Sequence, residues 1–265
     1  MSSSKTTNSY KIAIVVLSIA VVALLALLAR GGQAEPAATV TVTVTPSQQA
    51  QPTAVAEGSA TPSEAPEPEQ PTSDQEQERI EFLLNLPRRQ ADDARALGKV
   101  DAPVVLTEWA DFRCPFCSVW DQDTLPKLKP LIDDGTLRVE FRDMAIFGED
   151  SVKAAAASRA AGAEGKFWEF VEALYAAIPQ QGHPPVSDEL LLQLAQQIGI
   201  SDLDAFKAGF QDDEKLAEVA AETREGQTLG VNSTPTFLVG SQVVSGAQPA
   251  EQFIKIIEQE KAKQG

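Results

Sequence analysis

VVLTEWADFRCPFC, at residues 104–117, joins an almost continuously apolar run to a closely spaced pair of cysteines. The run from Val104 to Trp109 predicts a strand that is buried on both faces of a sheet. A helix is expected to begin near Cys114, because Pro115 suits the first helical position, where no backbone N–H is needed. A strand, a C-x-x-C pair and a helix in this order favour a redox-active dithiol.

Cys114 and Cys117 lie one turn apart on the same face of the predicted helix, close enough to form a disulfide. The unpaired N–H groups and the dipole at the start of a helix stabilise a thiolate, so the pKa of Cys114 is expected to fall below its usual value of about 8.5. A stabilised thiolate is a good leaving group, and the disulfide is then ready to pass to other thiols. The alternatives are a structural disulfide and one half of a metal site shared between chains. Two cysteines and one histidine are too few for a closed zinc site within one chain.

Further along the chain, the hydrophobic period indicates an α/β fold. Leu137 to Phe141 predicts a second strand, and residues 151–229 follow a helical period. Thr236 to Val239 and Gln242 to Ser245 predict a hairpin, after which a helix opens with Pro249 in its first turn. The predicted order is therefore β-α-β, a helical insertion, and β-β-α.

The amino-terminal region, residues 1–30, contains an apolar run of 18 residues between Lys11 and Arg30, with only Ser18 polar. At 1.5 Å per residue, a helix of this length nearly spans the roughly 30 Å hydrocarbon core of a membrane. Lys5 and Lys11 precede the run, so the positive-inside rule places the amino terminus in the cytoplasm and the rest of the chain outside. The sequence thus predicts a single-pass protein of the cell membrane. The alternative is a signal peptide that is cleaved.

Residues 31–78 predict a disordered linker, and residues 79–265 predict the folded domain. The linker region holds seven prolines and eight acidic residues but no Lys, Arg or aromatic residue. It therefore buries too little apolar surface to offset the entropy of ordering. The whole chain carries a net charge of -16, which argues against nucleic acid as a partner, because that binding rests on Lys and Arg.

Taken together, these motifs resemble the DsbA-like thiol–disulfide oxidoreductases, which have a thioredoxin fold with an inserted all-helical subdomain. The resemblance covers about residues 95–260. It rests on the order of the opening stretch and four further motifs: DAP at 101–103, FRD at 141–143, GKFWEFVEAL at 165–174 and STPTFLVG at 233–240. It implies an insertion at about residues 150–230 and dithiol chemistry at Cys114 and Cys117.

Glu108 interrupts the first apolar strand. A buried carboxylate is costly unless it is paired or neutral, so its pKa should be raised. In the family that the chain resembles, a matching acid lies under the disulfide, which implies that Glu108 relays a proton to and from Cys117. The alternative is a strand-end residue that reaches water. Arg138 or Arg142 is a candidate partner for its carboxylate.

The resemblance also implies a substrate-binding surface made of Pro115, Phe116, Thr234 and Pro235. Thioredoxin folds have a cis proline beside the disulfide, and the backbone of the preceding residue, here Thr234, pairs with the substrate. The alternative is a trans proline at the start of a strand. Many strongly oxidising members have His where this chain has Phe116. A phenyl ring cannot stabilise the Cys114 thiolate as an imidazolium does, which predicts a milder oxidant.

The function predicted from these features is oxidation of substrate dithiols outside the cytoplasm, with the Cys114–Cys117 disulfide as the redox group and no separate cofactor or metal. The expected partners are secreted proteins with free thiols, which meet the enzyme while unfolded or folding, and an electron acceptor in the membrane that reoxidises it. Two alternatives remain open at this point: a membrane-tethered reductase or isomerase, and a redox-inert binding module with a structural disulfide.

Overall fold

A computed structural model describes residues 72–263, which contain a five-stranded mixed sheet. The strand order is β1-β3-β2-β4-β5, with β2 and β3 parallel and every other pair antiparallel. The strands are β1 (Ala96–Leu97), β2 (Val104–Ala110), β3 (Leu137–Asp143), β4 (Thr236–Val239) and β5 (Gln242–Ser245).

The helices described fall into four groups along the chain. Before the sheet comes α1 (Ser73–Leu84), and between β2 and β3 lies a continuous helical run of α2 (Pro115–Val119), a π-helix (Trp120–Thr124) and α3 (Leu125–Asp133). Five helices separate β3 from β4: α4 (Glu149–Ala163), α5 (Phe167–Ala177), α6 (Asp188–Gln197), α7 (Leu203–Gln211) and α8 (Asp213–Thr228). Helix α9 (Ala250–Ala262) follows the final hairpin. The predicted order of elements, including the helical insertion, is confirmed.

Strand β2 is the central strand of the sheet, and all seven of its residues are buried. Its neighbours β3 and β4 pair with it on either side, so Glu108 stands opposite Phe141 in β3 and Phe237 in β4. Side chains alternate along a strand, which places Leu106, Glu108 and Ala110 on one face of the sheet. Glu108 is therefore the one carboxylate on a face of β2 whose neighbouring side chains, Leu106 and Ala110, are apolar.

Two large apolar clusters hold the domain together, and a smaller one includes Trp109 and Leu238. One joins the sheet to α3 and α9, with Leu106, Trp120 and Phe253 at its centre. The other joins the end of β2 and both cysteines to the helical insertion, where Phe170 is fully buried. Trp168 packs against both clusters, so the insertion is fixed to the sheet beside the cysteines.

The predicted end of the linker at residue 78 was wrong, because α1 begins at Ser73. Thr72 and Gln75 form a capping box there: each side chain accepts a hydrogen bond from the backbone N–H of the other residue. Two of the N–H groups left open at a helix start are satisfied in this way. The capping box was missed because the acidic, proline-rich composition of residues 31–78 as a whole indicated disorder.

The predicted membrane helix and nearly all of the predicted linker lie outside the described residues. Within residues 72–263, no helix has both the length and the apolar character needed to span a membrane.

Helix α8 contributes a buried acid to the interface with the sheet. The side chain of Glu222 is only 10% exposed, and its carboxylate lies 2.7 Å from Arg95 and 2.8 Å from Arg159. Burial would raise the pKa of Glu222, but the charges of these two arginines outweigh it and lower the pKa to about 2. Arg95 and Arg159 also contact Asp143 at the end of β3, so α8 is joined to the sheet through charged groups.

Candidate active site

The two cysteines sit at the beginning of the helix that follows β2. Cys114 is the N-cap, with extended backbone angles (φ -80°, ψ 119°), and Pro115 occupies the first turn. Both cysteines are free thiols; Cys114 is 2% exposed and Cys117 is 0% exposed. The predicted helix start is confirmed, and Cys117 is the more buried of the two cysteines.

Cys114 is the thiol that ionises first. A hydrogen bond from the Cys117 thiol is the main cause that lowers its pKa, to about 6, although burial acts in the opposite direction. The backbone N–H groups of Cys117 and Phe116 add to the lowering. The N–H groups at the open end of a helix are thus directed at the sulfur, as the sequence predicts.

Cys117 shows the opposite shift. Burial raises its pKa well above 9.0, and the neighbouring Cys114 and Glu108 raise it further. A group in this position is stable as a neutral thiol and unstable as a thiolate. When the disulfide opens, Cys117 therefore needs a proton at once.

The Thr234–Pro235 peptide bond is cis, which confirms the expectation drawn from the resemblance. The Cys114 thiol donates a hydrogen bond to the carbonyl oxygen of Thr234 at 3.3 Å. The hydroxyl of Thr234 is buried and accepts or donates no hydrogen bond within the described residues. The loop before β4 thus lies directly beside the reactive sulfur.

Phe116 is 62% exposed, although it lies between two buried cysteines. Large apolar side chains are usually covered, and one left uncovered beside a reactive group is a candidate contact for a partner. Pro115 and Phe116 directly follow Cys114 in the chain, and the carbonyl oxygen of Thr234 in the cis-proline loop lies 3.3 Å from its Sγ. The structure therefore brings the predicted substrate-binding residues to the place where the chemistry occurs.

Glu108 lies beneath the cysteines and is 2% exposed, so it does not reach water at the end of the strand. Burial raises its pKa well above 4.5, with smaller contributions from the charges of Asp121 and Cys114. Its Oε1 atom has no hydrogen-bond partner within the described residues. The raised pKa predicted from the sequence is confirmed, and burial is its main cause, so the neutral form of Glu108 is favoured.

Neither candidate arginine pairs with Glu108. The Nε atom of Arg138 lies 2.8 Å from Glu140, and Arg142 faces Glu222 of α8 at 3.6 Å. Arg138 and Glu140 lie two residues apart in β3 and therefore share one face of the sheet. The sequence could not distinguish these arginines, because the side on which α8 packs is a tertiary feature.

Two residues of the β2–α2 loop were not identified from the sequence. The carboxylate of Asp111 accepts hydrogen bonds from the backbone N–H groups of Arg113 and Ile146, both at 2.7 Å. The guanidinium of Arg113 donates to the carbonyls of Phe147, His183 and Pro184. This loop is thereby anchored to the insertion, which fixes the backbone that leads into Cys114.

Asp121 is a second acidic group near the site that sequence reasoning missed. It lies in the π-helix, and burial is the main cause that raises its pKa to about 7, with the charge of Glu172 next. The sequence could have indicated Asp121, because a residue four positions after Cys117 lies on the same helix face as that cysteine.

Comparison with known proteins places this site in a family. A family model described as thioredoxin matches residues 90–259. The chain is 30% identical over 167 residues to Disulfide bond formation protein D of Bacillus subtilis (strain 168), which is 62% of this chain and 75% of that relative. The chain belongs to the DsbA-like thioredoxin family. It is therefore a thiol–disulfide oxidoreductase, as the sequence predicts.

The solved structures agree with this assignment. The crystal structure of oxidised BdbD from Bacillus subtilis has 29% sequence identity and a TM-score of 0.60, covering 63% of this chain and 92% of that one. The crystal structure of Wolbachia pipientis alpha-DsbA1 has 24% identity and a TM-score of 0.59 over 70% of this chain and 96% of that one. At 24% identity, the similarity to the Wolbachia structure supports only the fold of this chain.

Proposed function

We propose that this oxidoreductase oxidises pairs of thiols in other proteins outside the cytoplasm, through a disulfide between Cys114 and Cys117. The observation that supports the direction is the contrast between the two thiols: the pKa of Cys114 is lowered to about 6, while that of Cys117 is raised well above 9.0. A stabilised Cys114 thiolate favours the reduced enzyme, and a disulfide whose reduced form is favoured oxidises other thiols readily.

In the first step, a substrate thiolate attacks Sγ of Cys114. A disulfide forms between the substrate and Cys114 while the Cys114–Cys117 bond breaks, and Cys117 leaves with the electron pair. Glu108 donates its proton to Cys117, since the Cys117 thiolate is unstable in its buried position. Glu108 is neutral beforehand because burial raises its pKa, so it holds the proton that this step requires.

In the second step, another thiolate of the substrate attacks the substrate sulfur of the mixed disulfide. The substrate leaves with a new disulfide, and Cys114 leaves as a thiolate. Two electrons have passed to the enzyme, which must return them before another cycle. We infer that a membrane-bound electron acceptor takes them, because the apolar run before Arg30 fits an anchor that holds the enzyme at the membrane.

Substrate is held by Phe116, Pro115, Thr234 and Pro235. Phe116 offers apolar surface to an unfolded segment, and the backbone of Thr234 lies where an extended segment beside Cys114 can pair with it. Contacts of this kind recognise backbone and apolar surface rather than a particular sequence. The proposed clients are therefore secreted proteins that still expose free thiols.

The proposal is tested by trapping. In Cys117→Ser, the Cys114 thiolate can attack a disulfide of an oxidised client and displace one of its thiolates, which leaves a mixed disulfide that no neighbouring thiol resolves. Client proteins should therefore accumulate on the enzyme and be released by a reductant. The matched Cys114→Ser variant should capture none. Equal capture by both variants would contradict the assigned roles of the two cysteines. A reduction potential near or below roughly -270 mV would instead favour a reductase.

A further inference from the structure

Asp111 directly follows β2, and its carboxylate is enclosed by hydrogen-bond donors. The residue is 1% exposed. Its Oδ1 atom accepts hydrogen bonds from the backbone N–H of Arg113 at 2.7 Å and from the hydroxyl of Ser151 at 2.8 Å. Its Oδ2 atom accepts from the backbone N–H groups of Ile146 at 2.7 Å and Phe147 at 3.2 Å. Four hydrogen bonds match the number of acceptor sites on a carboxylate, so this buried group is fully satisfied.

The donors to Asp111 come from two different parts of the chain. Arg113 belongs to the active-site loop, whereas the other three donors lie between β3 and the first turn of α4, where the helical insertion begins. Burial raises the pKa of Asp111, and the hydrogen bonds oppose this effect. A buried carboxylate is costly even when it is satisfied. The carboxylate of Asp111 therefore joins the active-site loop to the insertion in one fixed arrangement.

The backbone of Asp111 contacts both cysteines. Its carbonyl oxygen accepts hydrogen bonds from the backbone N–H of Cys114 at 3.0 Å and from the buried hydroxyl of Tyr175 at 3.3 Å. Its own N–H donates a hydrogen bond to the sulfur of Cys117. Burial is the main cause that raises the pKa of Cys117, and this hydrogen bond acts in the opposite direction. The N–H of Asp111 is thus a fixed donor aimed at the sulfur that leaves when the disulfide opens.

The opening of the disulfide places negative charge on Cys117 before a proton arrives. Cys117 is 0% exposed, so water cannot solvate this charge. A donor that is already in place stabilises such a charge far better in a site without water than it would in solution, because no reorganisation is needed when the bond breaks. Its effect depends on how accurately the donor is held, and the carboxylate of Asp111 holds it.

We propose that Asp111 is a positioning residue for disulfide exchange: by fixing the active-site loop to the insertion, its carboxylate keeps its backbone N–H on Sγ of Cys117, where the N–H stabilises the developing thiolate. A substrate thiolate attacks Sγ of Cys114, the bond to Cys117 breaks, and the electron pair stays on Cys117 until Glu108 protonates it. The same N–H acts in reverse when the Cys117 thiolate attacks a mixed disulfide at Cys114. This inference rests on the proposed function.

The test compares two reactions of the full chain. Dithiothreitol opens the Cys114–Cys117 disulfide, which requires Cys117 to leave, whereas iodoacetamide alkylates Cys114 of the reduced chain, which does not. Asp111→Ala should slow the opening on the order of tenfold, less than the roughly 10²- to 10³-fold lost when such a donor is removed outright. The alkylation rate and its dependence on pH should change little.

Asp111→Asn is the conservative variant. The charge of the carboxylate would itself oppose a nearby thiolate, so the benefit must come from its hydrogen bonds. The amide oxygen of Asn can take the place of Oδ2, and its NH₂ group can donate to the hydroxyl of Ser151, so that only the N–H of Arg113 loses its acceptor. Asp111→Asn should therefore restore most of the opening rate that Asp111→Ala loses.

Ser151→Ala supplies an independent variant from the insertion side. It removes one of the four hydrogen bonds without changing the active-site loop, and it should slow the opening roughly two- to fivefold, as expected for one hydrogen bond. Ser158→Ala is the matched control. Both serines are 0% exposed in α4, but the hydroxyl of Ser158 donates to the carbonyl of Ala155 within the same helix. Ser158→Ala should open at the wild-type rate.

The outcomes separate this inference from the proposed function. If Asp111→Ala is folded and opens at the wild-type rate, or if it slows opening and alkylation by the same factor, the inference is wrong. If Asp111→Ala does not fold, equal opening rates for Ser151→Ala and Ser158→Ala overturn the inference. Failure of the proposed function has a different sign: Cys114 of the wild type would then be alkylated no faster than an ordinary thiol, and Cys117→Ser would capture no client.

Discussion

Cys114 and Cys117 have the same side chain but opposite acidities, because their surroundings differ. The backbone N–H groups at the helix start and the thiol of Cys117 act on Cys114, whereas Cys117 lies one turn inside, among apolar groups. A lowering from 9.0 to about 6 corresponds to roughly 4 kcal/mol in favour of the Cys114 thiolate. In the proposed mechanism, that difference determines which sulfur is attacked and which one leaves.

We expect Phe116 to affect the reduction potential of the enzyme. Phe116→His places an imidazole at an exposed position beside Cys114, and in its charged form it stabilises the thiolate. One pKa unit of added stabilisation raises the reduction potential by about 30 mV, measured by equilibration with glutathione. Phe116→Leu, which adds no charge, should leave the potential unchanged. Equal potentials for the His and Leu variants would contradict this role.

At the residue scale, the sequence identified most of the site. Spacing, composition and the family resemblance were enough to predict the cysteine pair, the cis proline at Pro235 and the raised pKa of Glu108. They were not enough to predict which acids pair with Arg138 and Arg142. Both arginines lie on the face of β3 that points away from Glu108, because Glu108 pairs in register with Phe141, and neither this register nor the packing of α8 is encoded within a single element.

The sequence of helix α8 does not reveal that this helix is joined to the sheet through a buried charged cluster. Its acidic composition is typical of a solvated face, yet Glu222 lies among arginines from three different parts of the chain: Arg88 and Arg95 before β2, Arg142 in β3, and Arg159 in α4. The sequence could not indicate this cluster, because its members come together only when the insertion packs on the sheet. The two-residue strand β1 was missed for a simpler reason, since it is too short to show a period.

Glu222→Ala should destabilise the domain strongly, because it leaves several arginines buried without their main partner. The expected loss in the free energy of unfolding is about 3 to 5 kcal/mol, measured by chemical denaturation. Glu225→Ala is the matched control: its side chain is 58% exposed and lies 3.8 Å from Arg142. A loss of no more than about 0.5 kcal/mol is expected there. If both variants lose the same amount, the buried cluster is not what joins α8 to the sheet.

At the scale of the whole molecule, the insertion and the sheet together enclose the dithiol. Trp168 packs against both apolar clusters, and the guanidinium of Arg113 joins the active-site loop to the carbonyls of His183 and Pro184. The redox state of the cysteines is therefore linked to the stability of the entire domain.

This linkage predicts a pH dependence. Because the folded-state pKa of Cys114 is lowered from 9.0 to about 6, its thiolate stabilises the reduced fold fully above about pH 9, and that stabilisation is lost as the pH falls through about 6. Asp121 and Glu108 are present in both redox forms, so the oxidised protein serves as the control. The free energy of unfolding of the reduced form, relative to the oxidised form, should rise by up to roughly 4 kcal/mol across this window. A difference that stays constant with pH would contradict the prediction.

The most direct measurement is the titration of Cys114 itself, followed by the ultraviolet absorbance of its thiolate in the reduced full-length chain. One thiol should ionise near pH 6, and the second should remain protonated beyond pH 9. Cys114→Ser should abolish the transition near pH 6. If Cys114 instead ionises near its ordinary value of 9.0, the helix start does not stabilise the thiolate, and the oxidising function proposed here loses its physical basis.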